Sequence, residues 1–589
     1  MAELGWEKRI QTIKERKMRR LFTYFATMVL LVATMVGCGN DSEKGDYKCA
    51  VPNDAAVVVR FDANQVLVKS GLKGELTQML RNKLQAEGAP KMVLGLVDDF
   101  RNTGVDVEAP MYLFSQLVDN ENIFVGVVAK TYKKSLLDKL VGSIPRSLKS
   151  EESGCTYVDV KGEYAVAYND VAIVFGAVSP LQGHRYEMDS YGNYSPVELQ
   201  KKVDLKPLLI GALEDAVNCS GGAALPSYEG CDAAVCLRVE PIFEVAKELA
   251  KESLEHASVR KRAEVYSALH MVEKVKNGRI DAALNFANGS IQLNAKVGNF
   301  PKLDGLQLKP CSNENLKNIS ASAWAVANVP FDGAMLVDVF NKILENHPEL
   351  QGALDAALKS EFNYHNSNMN LDAIVQSTKN IVLASISSIN GDLTVALNNY
   401  SEEQYWDPNY DYYGAYRTRA NVDACAMVNV ANESIMQAVD VVPAFVNIDL
   451  ERNGYNRYRV VADGVGINFG IEQKQLYAKT DYVSFVETPA TAASWYPAVQ
   501  GSYGYVVVNL SSVLSDPKLK REIEEELKEE YGYSTSYGSA IKLVKSLDYL
   551  LLTAPTPESL SLQLVLKNKN ENVLKQILSE AKHLLYNKL

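Results

Sequence analysis

The chain has 589 residues, of which 47% are hydrophobic and 23% charged, with 61 Lys plus Arg against 72 Asp plus Glu and a net charge of −11. Its acidic balance argues against a nucleic-acid partner, because phosphate backbones repel such a surface and no basic block interleaved with aromatics follows Cys38. Length and apolar content suffice for several buried cores.

Residues 1–17 (MAELGWEKRIQTIKERK) read as an upstream extension, because Met18, Arg19 and Arg20 already make a complete positive n-region. An apolar run from Leu21 to Val36 follows, then Gly37 and Cys38. This is the pattern of a bacterial lipoprotein signal. The positive end stays on the cytoplasmic side, the run enters the membrane, and a small residue precedes the cysteine that becomes the mature amino terminus. An uncleaved anchor is the alternative, since about 17 apolar residues is the lower limit for spanning a bilayer. Against it, the run is short and the polar stretch Gly39 to Glu43 follows directly. The expectation is lipidation at Cys38 and attachment to the membrane through that lipid. Removing residues 1–37 takes away seven basic and three acidic residues, leaving 54 against 69, a net charge of about −15 that suits solubility outside the cytoplasm.

Further along, one local pattern recurs: a short apolar strand, a polar turn residue, then an amphipathic helix. The copies are Ala55 to Asp62 (AAVVVRFD), Ala233 to Glu240 (AAVCLRVE), Ala321 to Asn328 (ASAWAVAN), Ala424 to Val430 (ACAMVNV) and Tyr505 to Leu510 (YVVVNL). Hairpins are expected at Ile280 to Val297, turning at Asn288-Gly289, and at Ile381 to Leu397, turning at Asn390-Gly391, because Asn-Gly supplies the positive φ of two-residue turns. Leu550 to Leu566 has the same shape with a Pro-containing turn. Helices are expected over Phe243 to Lys276 and over Asp516 to Tyr531, the latter with Gly532 beyond it and its EIEEELKEE run as a solvated face. Strand, helix and hairpin units must bury a helix stripe against a sheet face, so the expected fold class is α+β, with repeated units forming antiparallel sheets and helices packed on one face.

Polar, turn-rich stretches at Ser195 to Ser227 and Asn398 to Asn421 set the expected boundaries. After the signal (1–37) and a linker (38–46) come an α+β domain at 47–200, a second at 225–398, a Tyr-rich loop at 399–422 and a third domain at 423–589.

The segment Tyr47 to Leu72 (YKCAVPNDAAVVVRFDANQVLVKSGL) resembles the opening of a large uncharacterised family of Bacteroidetes-type lipoproteins. The matching positions are Val51, Pro52, Asp54 and Ala55, then Val57, Val58 and Val59, with Lys69 to Leu72 beyond. The resemblance covers roughly the first 30 mature residues and implies a lipid-anchored outer-membrane protein with no activity to carry over. Asp41 and Glu43 loosely fit the acidic stretch associated with surface display, and Gly39 lacks the aspartate that retains lipoproteins at the inner membrane.

Chemistry is sparse. Six histidines show no metal-ligand spacing, and no Gly-x-Ser-x-Gly, Gly-x-x-x-x-Gly-Lys or His-Glu-x-x-His motif occurs. Gly464-Val465-Gly466 reads as a hairpin or bulge. With Cys38 lipidated, seven cysteines remain, an odd number that rules out a full set of intrachain pairs; Cys219 and Cys231 are the best candidates for one bridge, with the pairing left open, Cys236 reads as a core residue, and Cys231 with Cys236 lacks partners for a zinc set. No cofactor and no metal is expected.

The segment Tyr400 to Arg419 (YSEEQYWDPNYDYYGAYRTR) exceeds structural need and reads as a long aromatic loop. Tyr405, Trp406, Tyr410, Tyr412 and Tyr413 are the expected ligand contacts, because such side chains pair an apolar face with a hydrogen-bonding edge. Asp407, Asn409 and Asp411 alternate like calcium donors, but Tyr412 and Thr418 stand where the loop needs Gly and Glu. The expected function is a non-enzymatic envelope lipoprotein that binds a glycan or another envelope protein. The alternative is an envelope hydrolase whose carboxylates leave no spacing rule in sequence.

Overall fold

The computed structural model describes residues 45–71, 103–119, 122–142, 147–160, 164–180, 185–188, 194–197, 203–254, 272–300, 308–346, 371–407, 415–436, 450–462, 465–481, 486–532 and 534–586, with a few isolated positions besides. Eleven helices and antiparallel strand ladders make up these residues, an α+β composition. The chain divides into two compact units, where the sequence reading expected three. One unit is built from residues up to 301 together with 569–579, and the other from residues 302–568 with 580–589.

In chain order the first unit contains β1 (Val57–Phe61), α1 (Ala63–Ser70), β2 (Val105–Asp106), β3 (Met111–Leu117), β4 (Asn122–Thr131) and α2 (Lys134–Val141). A meander of β5 (Ser147–Glu152), β6 (Cys155–Val160), β7 (Tyr164–Tyr168) and β8 (Ala172–Pro180) follows. Then come the separate hairpin β9 (Arg185–Met188) and β10 (Tyr194–Val197), α3 (Leu205–Asn218), β11 (Ala233–Arg238), α4 (Val239–Leu254), β12 (Arg279–Ala287) and β13 (Ser290–Gly298). Pairing gives the ladder β5-β6-β7-β8-β4-β3-β1-β11-β12-β13, antiparallel at every step. Asn288 and Gly289 join β12 to β13 with Ala287 opposite Ser290 and Gly289 at φ 66°, the hairpin that the Asn-Gly pair specifies. The core lies against the inner sheet face, where Val58, Phe114, Phe124, Val128 and Val174 meet Leu209, Leu213 and Ala216 of α3.

The second unit runs β14 (Ala325–Asp332), α5 (Gly333–Asn346), α6 (Leu371–Ser387), β15 (Asn390–Asp407), β16 (Ala415–Asn429), β17 (Glu451–Arg452), β18 (Arg457–Ala462), β19 (Val465–Glu472) and β20 (Gln475–Thr480). It closes with α7 (Tyr496–Val499), β21 (Tyr505–Val508), α8 (Leu510–Val513), α9 (Pro517–Tyr531), α10 (Thr535–Ser546), β22 (Leu547–Thr556) and β23 (Ser559–Leu566), and α11 (Val573–Tyr586) follows. Its ladder is β17-β18-β19-β20-β16-β15-β14-β21-β22-β23. Element for element this is the connectivity of the first ladder, with β14 in the place of β1 and β21 in the place of β11. Trp495, Leu316, Ile319, Val507 and Leu551 anchor the core. The expected helix at Asp516 to Tyr531 is α9. Asp516 caps it by accepting from the amides of Lys518 and Leu519 at 2.9 Å, and Gly532 ends it at φ 60°.

Two expectations are corrected. Ser195 to Ser227 is no linker: α3 lies within it, and Leu209, Ile210, Leu213 and Ala216 are buried in the core. Pro207 and Gly211 punctuate the stretch in sequence, but Pro207 falls in the first turn, where the helix needs no donor. Ile381 to Ser387 is the end of α6, not a strand. Ser385 and Ser388 are buried there, with Ser388 Oγ donating back to the Ser385 carbonyl at 2.7 Å, so small polar residues tuck against the helix instead of alternating across a sheet. Asn390 and Gly391 accordingly start β15, opposite Asp332 and Phe331.

Candidate functional site

The aromatic segment builds the most distinctive surface feature of the second unit. β15 is 18 residues long. Its first half lies between β14 and β16, a bulge falls at Asn398, and from Asn399 to Asp407 its recorded partner is β16, with Tyr405 opposite Arg417, Trp406 opposite Tyr416 and Asp407 opposite Ala415. The expected loop is thus a hairpin arm over residues 400–407 and 415–419. Tyr and Trp favour strands. Tyr400 and Trp406 on this arm are both exposed, so these aromatics do not mark a buried face in the sequence. Tyr400 donates to Glu402 Oε1 at 2.9 Å, which pushes its phenol up, and Glu402 also faces Lys518 of α9 at 3.7 Å. Asp407, the first of the three alternating oxygen donors, is the last residue of β15. Tyr410, Tyr412, Tyr413, Asn409 and Asp411 lie outside the described residues, as does Cys38.

A cleft of about 590 Å³ opens in the first unit between the β5–β6 turn, the β7–β8 turn and α3, lined by Cys155, Asn169, Asp170, Val171, Glu214 and Val217 among others. Asn169 is committed to structure: Oδ1 accepts from the amides of Val171 and Ala172 at 2.8 and 2.9 Å, and Nδ2 faces the Leu213 carbonyl at 3.4 Å. Burial pushes the Cys155 thiol up, the opposite of what a nucleophile needs. Asp170 and Glu214 at its edge are exposed.

Buried polar clusters do the work of register. In the first unit Lys69 Nζ reaches both oxygens of the fully buried Asp232 at 2.7 Å, while Phe286 N–H donates to Oδ2 at 2.6 Å. In the second, Thr394, Asn328, Tyr505, Thr553 and Ser561 form one row across five strands, all buried. Thr394 Oγ1 donates to Asn328 Oδ1 at 2.8 Å, and Asn328 Nδ2 donates to Asp392 Oδ2 at 3.1 Å, which also accepts from Asn313 N at 2.7 Å. Sequence reasoning missed these clusters; their signal is a polar residue at an inward strand position. The candidate Cys219–Cys231 bridge is not formed. Cys231 is buried, with its thiol facing the Tyr228 carbonyl and Arg60, whereas Cys219 is exposed. Among the described residues no group of His, Cys, Asp and Glu could hold a metal, and no helix is long and apolar enough to cross a membrane. Gly466 is a strand residue of β19 opposite Val461, and Gly464 lies outside the described residues.

Fold and surface together define an α+β protein with two antiparallel ladders of equal connectivity. The chain belongs to a family described as "Domain of unknown function (DUF4836)", which matches residues 267–574, just over half of the sequence. No curated protein matches it. One solved structure, described as "Structure of crystal form I of TP0453", is similar at 11% identity over 45% of this chain and 82% of that one. Its TM-score to this chain is 0.23.

Proposed function

We propose that this chain is an envelope lipoprotein of the Bacteroidetes type, held at the outer membrane by a lipid on Cys38, and that it binds a glycan or another envelope protein without catalysing a reaction. The observation that carries this reading is the n-region, apolar run and Gly37-Cys38 junction. In this reading the residues between Cys38 and the 3-10 turn at Tyr47 are the tether that joins lipid to fold. The hairpin arm supplies the binding surface in this reading, with Tyr400 and Trp406 exposed on it. Each unit, in the same reading, repeats a strand-helix-hairpin module twice, with helices stacked on one sheet face. Support comes from β1, α1, β3 and β4 following the same order as β11, α4, β12 and β13, with β1 and β11 antiparallel at the centre.

Radiolabelled palmitate and mass spectrometry of the mature amino terminus test the anchor. Acyl label on the wild type and none on Cys38→Ala is the expected result, with two or more chains needed for stable attachment. An unlabelled wild type, or a mature chain starting elsewhere, refutes it.

A further inference from the structure

Seven cysteines follow Cys38, and the structure sorts them into two groups. Cys155, Cys231, Cys236, Cys311 and Cys425 are buried; Cys49 is half-buried and Cys219 exposed. Those last two stand far apart in sequence and side by side in the first unit. Cys49 lies in the 3-10 turn Tyr47–Ala50, and Cys219 is the left-handed cap of α3 at φ 53°.

The two backbones around them are laced together. Asp46 N–H donates to the Ala216 carbonyl at 3.0 Å and Gly222 N–H to the Val51 carbonyl at 2.8 Å. Asn53 bridges both strands of chain: Nδ2 donates to the Ser220 carbonyl and Oδ1 accepts from Ala223 N–H, each at 2.8 Å. Gly221 is packed so closely on the turn that a Cβ there would lie 1.9 Å from the Cys49 carbonyl oxygen. Burial, with Cys219 beside it, pushes the Cys49 thiol up to about 11.

We propose that Cys49 and Cys219 are a disulfide-forming pair that staples the entry of the chain into the first unit. Formation in the cell rests on the envelope reading above, because reducing compartments keep cysteines as thiols; the geometry of the pair does not. The reaction is thiol–disulfide exchange with an oxidant that is itself a disulfide. The exposed Cys219 thiolate attacks one sulfur of the oxidant and releases a thiol. Cys49 then attacks the Cys219 sulfur of the mixed disulfide, and the oxidant leaves as its second thiol. Two protein thiols are oxidised, one disulfide is reduced to two thiols, and the two protons pass to the departing sulfurs. The resulting link carries tension from the amino-terminal tether directly into α3.

The full-length chain, purified in detergent, is reduced, returned to native buffer and treated with oxidised glutathione, then alkylated in denaturant and digested. A cross-linked peptide pair containing Cys49 and Cys219 is expected, with reduction raising the number of alkylated thiols by two whether or not Cys38 carries lipid. The pair should vanish in Cys49→Ser and persist in Cys155→Ser. Failure to link after oxidation, or a link between other cysteines, overturns the proposal. Linkage with glutathione but not in protein taken directly from the envelope supports the pair and counts against the oxidising location instead.

Discussion

Phe114 lies across the bare backbone of Gly126. The two residues face each other in the β3–β4 register, and a Cβ at position 126 would sit 2.3 Å from the ring. Phe124 repeats the device over Gly176, again at 2.3 Å, and the two rings meet edge to face with centroids 5.4 Å apart. Gly126 and Gly176 are themselves opposite in β4–β8. Two strand glycines thus make room for two aromatic rings that cover three strands.

Gly126→Ala should therefore destabilise the first unit by about 1–3 kcal/mol, because the ring and the strand must move apart in a packed core. Gly298→Ala is the control: a Cβ there meets nothing within 4 Å, so a shift of at most about 0.5 kcal/mol is expected. Denaturant midpoints of the two variants decide; equal midpoints would dismiss the steric account.

The sequence made visible what depends on local chemistry. Asn288-Gly289 needs positive φ, and Asp516 and Gly532 bracket α9 by capping, so both were legible from a few residues. What escaped depends on distant partners. The strand Asn399 to Asp407 pairs with β16, and its described aromatics Tyr400 and Trp406 are exposed, so no apolar period marks it. The Thr394, Asn328 and Tyr505 row looks like scattered polar residues until three strands are laid in register. The pairing of Cys49 with Cys219 needs α3 folded against the 3-10 turn, a long-range relation that no spacing rule encodes.

Asp281 gives the first unit a pH dependence with a definite sign. Burial would raise its carboxyl, but Arg279 at 2.7 and 3.0 Å and both donors of Ser227 at 2.9 and 3.1 Å outweigh that, holding it below the ordinary 3.8. A lowered native pKa contributes stability that is present above the unfolded value and lost as pH falls through the native one. Asp281→Asn should cost about 1–3 kcal/mol at pH 7, with the gap to wild type narrowing below about pH 4. Urea titrations at both pH values check this; a gap that widens in acid refutes it.

Three strand ends cap the helices that follow them in the same way. Asp62, Asp332 and Asn509 each accept from the amide three residues on, at 3.0, 3.0 and 3.1 Å. Asp332→Ala and Asn509→Ala should each cost about 1 kcal/mol. Asp62→Ala should cost about 3 kcal/mol, because it also removes the carboxylate facing the buried Arg60 at 3.5 Å. Amide exchange in α1 should then rise more than in α5 or α8 for the matching variants. Equal effects at all three positions would mean that Arg60 is satisfied without Asp62, by the carbonyl and thiol of Cys231.

In the proposed reading, substitutions on the hairpin arm should act on binding and leave stability in place. Tyr400 and Trp406 are 41% and 51% exposed, so replacing both with Ala should change the second unit's stability by no more than about 1 kcal/mol. Capture of a glycan or envelope partner should weaken by about 2 kcal/mol or more for each side chain that acts as an interface anchor. Binding isotherms on glycan arrays and on immobilised envelope extract, run beside thermal melts of the same double variant, read both quantities. A collapse of stability would make these aromatics part of the hairpin's own packing. Unchanged capture together with unchanged stability would reduce the arm to a spacer, since exposed aromatic area with no partner would then serve only to extend β15 and β16 beyond the sheet.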